Sequence, residues 1–369
     1  MEVCRVDKAV DKAIGYGPGG SVHDRNGKRN GMSTLNEIRW GVLGLGWFGE
    51  IHVETLSAIP GVAVGAVCTR TASRLNEIAD RFGVENRYAD YREMIDDPSI
   101  DVIDVTTHVN DHAEMVTAAL EAGKHVFVEK PMAMNVAECD QMIAAAEKAP
   151  GLFMVGHICR FDPRVALAKQ AVEEGRLGKI ISMHARRNLS KTIGEANLDK
   201  ISALFGDGIH DVDVMLWLCG AAPTSIYAQQ VHPGKNRFPD VGWAMARLDS
   251  GATAVVESVW HLPRSTPYAI DAKTEIIGTE GALYIDCGTA GLEIHDADGV
   301  RKAETYYWPV VLGKRFGILK TELEYFTECV RTGAPPTHIT PAESRAAVAF
   351  IEAAVRSAES NQVVTLKKE

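Results

Sequence analysis

Three closely spaced glycines, Gly44, Gly46 and Gly49, carry the first chemistry in the chain, within the stretch IRWGVLGLGWFG over residues 38–49. In a G-x-G-x-x-G run the first glycine turns the chain, the second lets a diphosphate approach the backbone, and the third lets a helix pack on a strand. Free amide donors at the start of that helix, around Trp47 and Phe48, then face the phosphates. About twenty residues on, where an acid would hold an adenosine ribose, the chain reads Cys68, Thr69, Arg70, with Arg74 close behind. A hydroxyl and a guanidinium suit a 2′-phosphate, which favours NADP(H) over NAD; the open alternative is Arg70 lying flat on adenine, with either cofactor accepted.

Lys130 is the next candidate, in Glu129-Lys130-Pro131 straight after the apolar run His125 to Val128. An ammonium at the end of a strand can hold a substrate hydroxyl and help set the charge balance as a proton and a hydride leave together. By spacing alone, a surface lysine in a turn fixed by proline fits equally.

The elements that must position these groups alternate strand and helix from Ile38 onward. Strands are predicted at Val62–Val67, Val102–Thr106, His125–Val128 and Phe153–Gly156, with helices between them. Asn135 with Glu138 three residues on resembles a capping box. The rhythm predicts an α/β fold, a doubly wound parallel Rossmann sheet over residues 37–158 whose ligand crevice lies at the carboxyl ends of the strands. Beyond Arg160 the chain turns mostly strand-like, which predicts a second, α+β domain over residues 159–340 with a large, mainly antiparallel open sheet. Residues 341–369 are expected to form a helix and tail packing back on the Rossmann domain. Residues 1–36, rich in glycine and charge, are expected to be a disordered extension. A start placed upstream of the native one, or an arm wrapping a neighbouring subunit, would each explain it.

With 369 residues and 46% hydrophobic content the chain has ample core for two domains. A net charge of -10 argues against nucleic acid or an acidic membrane as partner. Seven scattered cysteines without a C-x-x-C pair suit a reduced, cytoplasmic setting, and no apolar run is long enough to span a bilayer.

Five blocks in order, GLGWFG, TTHVNDH (residues 106–112), AGKHVFVEKP (122–131), GHICRFDP (156–163) and GDGIHDVD (206–213), resemble the Gfo/Idh/MocA oxidoreductases. The resemblance implies NAD(P)-dependent redox chemistry on sugars, cyclitols or related polyols, and a sheet often used for oligomerisation, here into a homo-oligomer such as a dimer or tetramer. Carried over by position, Lys130 contacts substrate and the nicotinamide ribose, and His210 is the general acid or base. Thr106, Thr107 and His112, with His108 in place of the usual proline, line the nicotinamide side together with Glu129. Arg160 and Asp162 line the substrate pocket, and His157 stands where Phe is common and could bind a substrate hydroxyl. The aspartate expected four residues before the histidine is Gly206; Asp207 lies three before it and either reaches the pocket or leaves His210 to work with Lys130.

Three weaker signals remain. His184, Arg186 and Lys191 could meet an acidic substrate group or sit on a solvated sheet edge. The spacing of His157, Cys159 and His184 fits no common zinc pattern, so no metal is expected. Trp243, Trp260 and Tyr268 could stack on a sugar or simply pack. The expected activity is hydride transfer between a secondary hydroxyl of a sugar, glycoside or cyclitol and nicotinamide; a redox-neutral glycoside-cleaving enzyme with tightly held cofactor and a catalytically silent nucleotide sensor are the alternatives.

Overall fold

The structure, a computed structural model, describes residues 37–366 apart from 235, 268, 288–291, 298 and 304. The expectations for residues 1–36, for Tyr268 and for the last three residues of the chain therefore lie outside the described residues.

Six parallel strands, β1 (Ile38–Leu43), β2 (Val62–Cys68), β3 (Asn86–Tyr88), β4 (Val102–Val105), β5 (His125–Glu129) and β6 (Phe153–Gly156), lie in the order β3-β2-β1-β4-β5-β6. The chain reverses direction across the sheet at β1 and β4, so a crevice opens beyond their carboxyl ends. Between the strands run α1 (Trp47–Leu56), α2 (Ala72–Phe82), α3 (Tyr91–Ile95), α4 (His112–Glu121) and α5 (Val136–Ala146). The strands are near-continuous apolar runs such as Val126-Phe127-Val128 because helices cover both faces. Asn135 caps α5 by accepting the Glu138 amide at 2.9 Å, while the Glu138 carboxylate takes the Met134 amide, so only half of the predicted box forms. The short β3 and α3 escape the sequence pattern because each is only a few residues long.

After α6 (Pro163–Glu173) the chain builds the second sheet: β7 (Ile180–Ser190), then α7 (Lys191–Asn197) and α8 (Ile209–Cys219), then β8 (Pro223–Val231), β9 (Val241–Leu248), β10 (Thr253–Leu262), β11 (Ile270–Gly278) and β12 (Ala282–Asp286). Two small hairpins follow, β13 (Glu293–Asp296) with β14 (Gly299–Lys302) and β15 (Val310–Val311) with β16 (Lys314–Arg315). With β17 (Val364–Thr365) at one edge, the sheet runs β12-β11-β7-β10-β9-β8-β17, antiparallel except where β7 meets β10. Alternate residues of β9, Gly242, Ala244, Ala246 and Leu248, are buried on the inner face, while Trp243 and Met245 stand exposed on the outer one.

Two long helices close the chain. α9 (Ile318–Thr332) packs on α1 and beside the turn after β6. α10 (Pro341–Ser360) opens with a complete capping box between Thr340 and Glu343. It lies against α5 and β6 and more extensively against α8 and β8, and β17 (Val364–Thr365) then pairs with β8. The tail thus joins the second sheet as well as the Rossmann layer, because the apolar stripe of α10 is wide enough to meet both.

Candidate active site

The glycine turn shows why each glycine is there. Gly44 has φ +101°, and a Cβ on it would stand 2.9 Å from the Thr106–Thr107 backbone. A Cβ on Gly49 would stand 1.9 Å from the Gly44 carbonyl oxygen, so helix and turn touch directly. At Gly46 it would meet nothing within 4 Å, and Gly46 caps α1 with no side chain on its amides. Open space in front of uncapped helix amides fits a diphosphate. The Thr106 hydroxyl donates to the Gly44 carbonyl at 2.7 Å and braces the turn.

Lys130 follows β5 and donates to the Gly206 carbonyl at 2.8 Å. That carbonyl belongs to a single π-turn over Leu204–Gly208, which leads straight into α8 and His210. Asp207 Oδ1 lies 3.9 Å from Lys130 Nζ and 3.9 Å from His210 Nε2. The wide turn re-registers the chain ahead of the helix, so an aspartate three residues before the histidine faces the same lysine. Position 206 could not carry it, since a Cβ there would stand 2.6 Å from the Trp260 indole. Burial, then the charges of Lys130 and Arg187, hold the His210 imidazole well below its usual range, so the ring is neutral near pH 7.

The first turn of α8 is clamped on both sides. Arg187 on β7 makes two 3.0 Å bonds to Asp211, and Arg160 after β6 donates to Asp213 at 2.9 and 2.6 Å. Arg160 also donates to the His338 carbonyl at 3.0 Å and is 1% exposed. Arg160 and Asp162, both expected along the substrate pocket, have protein partners. Arg160 is spent on α8 and α10, while Asp162 caps α6 and pairs with Arg164. His157 is buried with neither ring nitrogen bonded, and its Nδ1 stands 3.6 Å from Asp213.

Several other candidate residues have protein partners as well. Arg74 donates to the Leu45 carbonyl and pairs with Glu50 and Glu77, so its guanidinium is not available for a 2′-phosphate; Thr69 and Arg70 remain at the end of β2, Arg70 exposed. His112 is buried between the Pro131 and Thr107 carbonyls at 3.0 and 3.2 Å and ties two loops together. Glu129 points inward, 3.3 Å from His52. His184 and Arg186 lie on the outer face of the sheet, His184 stacked on Trp243 and Arg186 paired with Asp271. Arg187, one residue on, faces inward, and the sequence reading missed it. Of the nicotinamide-side loop, His108 is exposed and Thr107 half-buried; Trp47, largely exposed, and Phe48 pack on Trp308 at the head of α1.

Fold and glycine turn together define a two-domain, dinucleotide-binding oxidoreductase. Two family models match: an oxidoreductase family with an NAD-binding Rossmann fold over residues 38–157, and the GFO/IDH/MocA C-terminal domain over residues 165–284. A myo-inositol 2-dehydrogenase of Thermotoga maritima is 31% identical over 341 residues, covering 90% of this chain and 99% of that protein. A scyllo-inositol 2-dehydrogenase (NAD(+)) of Bacillus subtilis is 31% identical over 314 residues, covering 82% and 88%. The solved myo-inositol 2-dehydrogenase of Lactobacillus plantarum superposes with a TM-score of 0.78 at 25% identity, covering 89% and 99%. The chain belongs to the Gfo/Idh/MocA oxidoreductases, and it is an enzyme acting on CH–OH groups. Among the described residues no helix is long and apolar enough to cross a membrane.

Proposed function

We propose that the protein moves a hydride between a secondary hydroxyl of a cyclitol or sugar and a nicotinamide dinucleotide, with Lys130, Asp207 and His210 handling the proton. The convergence of Lys130 and His210 on one Asp207 oxygen, each at 3.9 Å, carries this reading. Gly44, Gly46 and the head of α1 would hold the diphosphate, and Thr69 and Arg70 the adenosine ribose. When bound, the nicotinamide supplies the acceptor for the hydride that leaves the carbinol carbon. The Lys130 ammonium steadies the developing negative oxygen, and the neutral His210 exchanges the hydroxyl proton at Nε2. Asp207 balances the two. The inositol substrates named for the relatives make a cyclitol the first candidate. A preference for NADP now rests on Thr69 and Arg70 without Arg74.

A homo-oligomer, dimer or tetramer, fits the outer face of the second sheet, where Trp243, Met245, Ile277 and Tyr284 are all exposed. A cytoplasmic setting fits the six described cysteines, all unpaired.

The test offers NAD+ and NADP+ with myo-inositol, scyllo-inositol and a panel of aldoses and follows the nicotinamide absorbance. Lys130→Ala and His210→Ala are each expected to lower kcat by about 10²- to 10⁴-fold with cofactor affinity nearly intact. Full turnover in either variant removes that residue from the mechanism. Tighter NAD+ than NADP+ binding removes the reading of Thr69 and Arg70.

A further inference from the structure

A polar cavity of about 110 Å³ lies outside the groups assigned to proton transfer, at the end of the second sheet where β7 and β10 finish and β9 begins. Lys191 and Glu195 of α7, Asn236 and Asp240 of the loop before β9, and Trp260 and His261 of β10 line it. Backbone bonds fix its walls: the Trp260 amide donates to the Asp240 carbonyl at 2.8 Å, and the Phe238 amide to the Leu198 carbonyl at 2.9 Å. The Asp240 carboxylate, almost fully buried, accepts the Gly234 amide at 3.2 Å, with the His261 ring at the same distance. A Cβ on Gly234 would stand 2.8 Å from that carboxylate, so glycine lets the loop close on it. Other donors are idle. The Trp260 indole N–H is buried without an acceptor, and the Lys191 ammonium and the Asn236 amide have no partner among the described residues, while Glu195 is paired with Arg264.

Leaving a buried N–H without an acceptor is costly, and an acceptor in the cavity relieves it. Simple ions meet a like charge there: a carboxylate or phosphate faces Asp240 and Glu195, and an amine faces Lys191. Hydroxyl groups meet none, because each accepts from the indole, the lysine or the amide and donates to a carboxylate. We propose that the cavity holds one edge of a hydroxylated ring, making a second polyol site beside the reaction centre. Its effect on turnover rests on the assignment of Lys130, Asp207 and His210 to proton transfer. Trp260 joins the two. The benzo edge of its indole lies against Gly206, whose carbonyl takes the Lys130 ammonium at 2.8 Å and which immediately precedes Asp207. A ring seated on the indole N–H therefore steadies the π-turn that carries Asp207. Such a ring has two sources: a separate polyol molecule, or the distal sugar of a glycoside whose near ring is oxidised.

The experiment follows the Trp260 indole N–H by NMR in the full, nitrogen-labelled chain with NADH bound. The probes are myo-inositol and galactosyl-myo-inositol, in which a second sugar ring is linked to the cyclitol. Trp260→Phe assigns the signal. A saturable shift is expected, and Lys191→Ala should weaken the binding it reports about tenfold, the loss of one hydrogen bond to a charged group. Asp240→Asn, which keeps the shape and loses the charge, should weaken it as well. A second myo-inositol per chain, lost in Lys191→Ala, identifies a separate polyol. A single galactosyl-myo-inositol per chain, with a KM below that of myo-inositol and the advantage lost in Lys191→Ala, identifies the distal sugar. A Trp260 signal unmoved by either probe up to its solubility overturns the proposal. So does a shift with the same midpoint in wild type, Lys191→Ala and Asp240→Asn, which would report the reaction centre alone. Lys191→Ala decides it if Asp240→Asn does not fold. Turnover retained in His210→Ala would instead sink the proton-transfer reading, a result the Trp260 titration does not depend on.

Discussion

Two buried polar clusters flank the proposed reaction centre, and they are built differently. Around His210, Arg187 meets Asp211 and Arg160 meets Asp213, each guanidinium in two-point contact with its carboxylate. Behind Lys130, three buried carboxyls share one imidazole: His52 on α1 lies 2.8 Å from Asp104 and 3.3 Å from Glu129, and Glu322 of α9 stands close by with neither oxygen bonded. Burial works against a charged His52, yet Asp104 and Glu129 outweigh it and push the ring up to about 10. Burial and the charge of Glu129 push the Glu322 carboxyl well above its usual range, so it stays protonated. Matched charges hold the start of α8 through paired, two-point contacts. Mismatched ones store protons, and their free energy varies with pH.

Breaking a matched pair should cost most. Arg160→Met leaves Asp213 buried without its guanidinium and is expected to lower stability by about 3–5 kcal/mol, read as a shift in the urea midpoint. A loss well under 1 kcal/mol would show that the clamp does not hold α8. The mismatched cluster should show itself next, through pH. His52 has a folded-state pKa raised from 6.5 to about 10, so its stabilisation is complete below pH 6.5 and is lost as pH rises through 10. Wild-type melting temperature should therefore fall across that window, and His52→Gln should flatten the fall. An equal slope in both proteins would rule the imidazole out as its source.

The difference between the clusters also marks how far the sequence could be read. The glycine turn, the parallel doubly wound sheet and the place of Lys130 straight after a strand follow from local spacing, and the structure reproduces the fold they predict. Arg160 and Asp213 each stood in a recognisable block, but 53 residues separate them, and no local pattern pairs them. The sequence does not separate Arg186 from Arg187, because the choice depends on strand parity, and a register one residue different turns every side chain to the other face. The placement of Asp207 is not legible in the sequence, since a π-turn cannot be foreseen from helix periodicity. His52 was hidden on a helix face that reads as ordinary core.

A third change separates protonated from ionised acid inside the mismatched cluster. For a carboxyl with a raised folded-state pKa, the unfolded chain ionises first, so the cost is absent below about pH 4.5 and grows as pH rises. Glu322→Gln removes that cost and should raise stability at pH 7 by about 1 kcal/mol, with no gain at pH 4. A gain at both pH values would mean that packing, not titration, is being measured.

The smallest effect is expected where the charge pair lies outside both clusters. Arg186 and Asp271 are 3.2 Å apart on the outer face of the second sheet, with the arginine side chain about one-third exposed. In water such a pair is worth about 0–1 kcal/mol, because the dielectric weakens the attraction and ordering two side chains costs entropy. Arg186→Ala should therefore leave kcat unchanged and move the urea midpoint little, while the neighbouring Arg187→Lys disturbs turnover. Only strand parity separates the two arginines, so the pair of variants asks directly which face of the sheet meets the substrate. A fall in kcat in Arg186→Ala, with the size-exclusion profile unaltered, would put the substrate on the outer face and move the reaction centre away from His210.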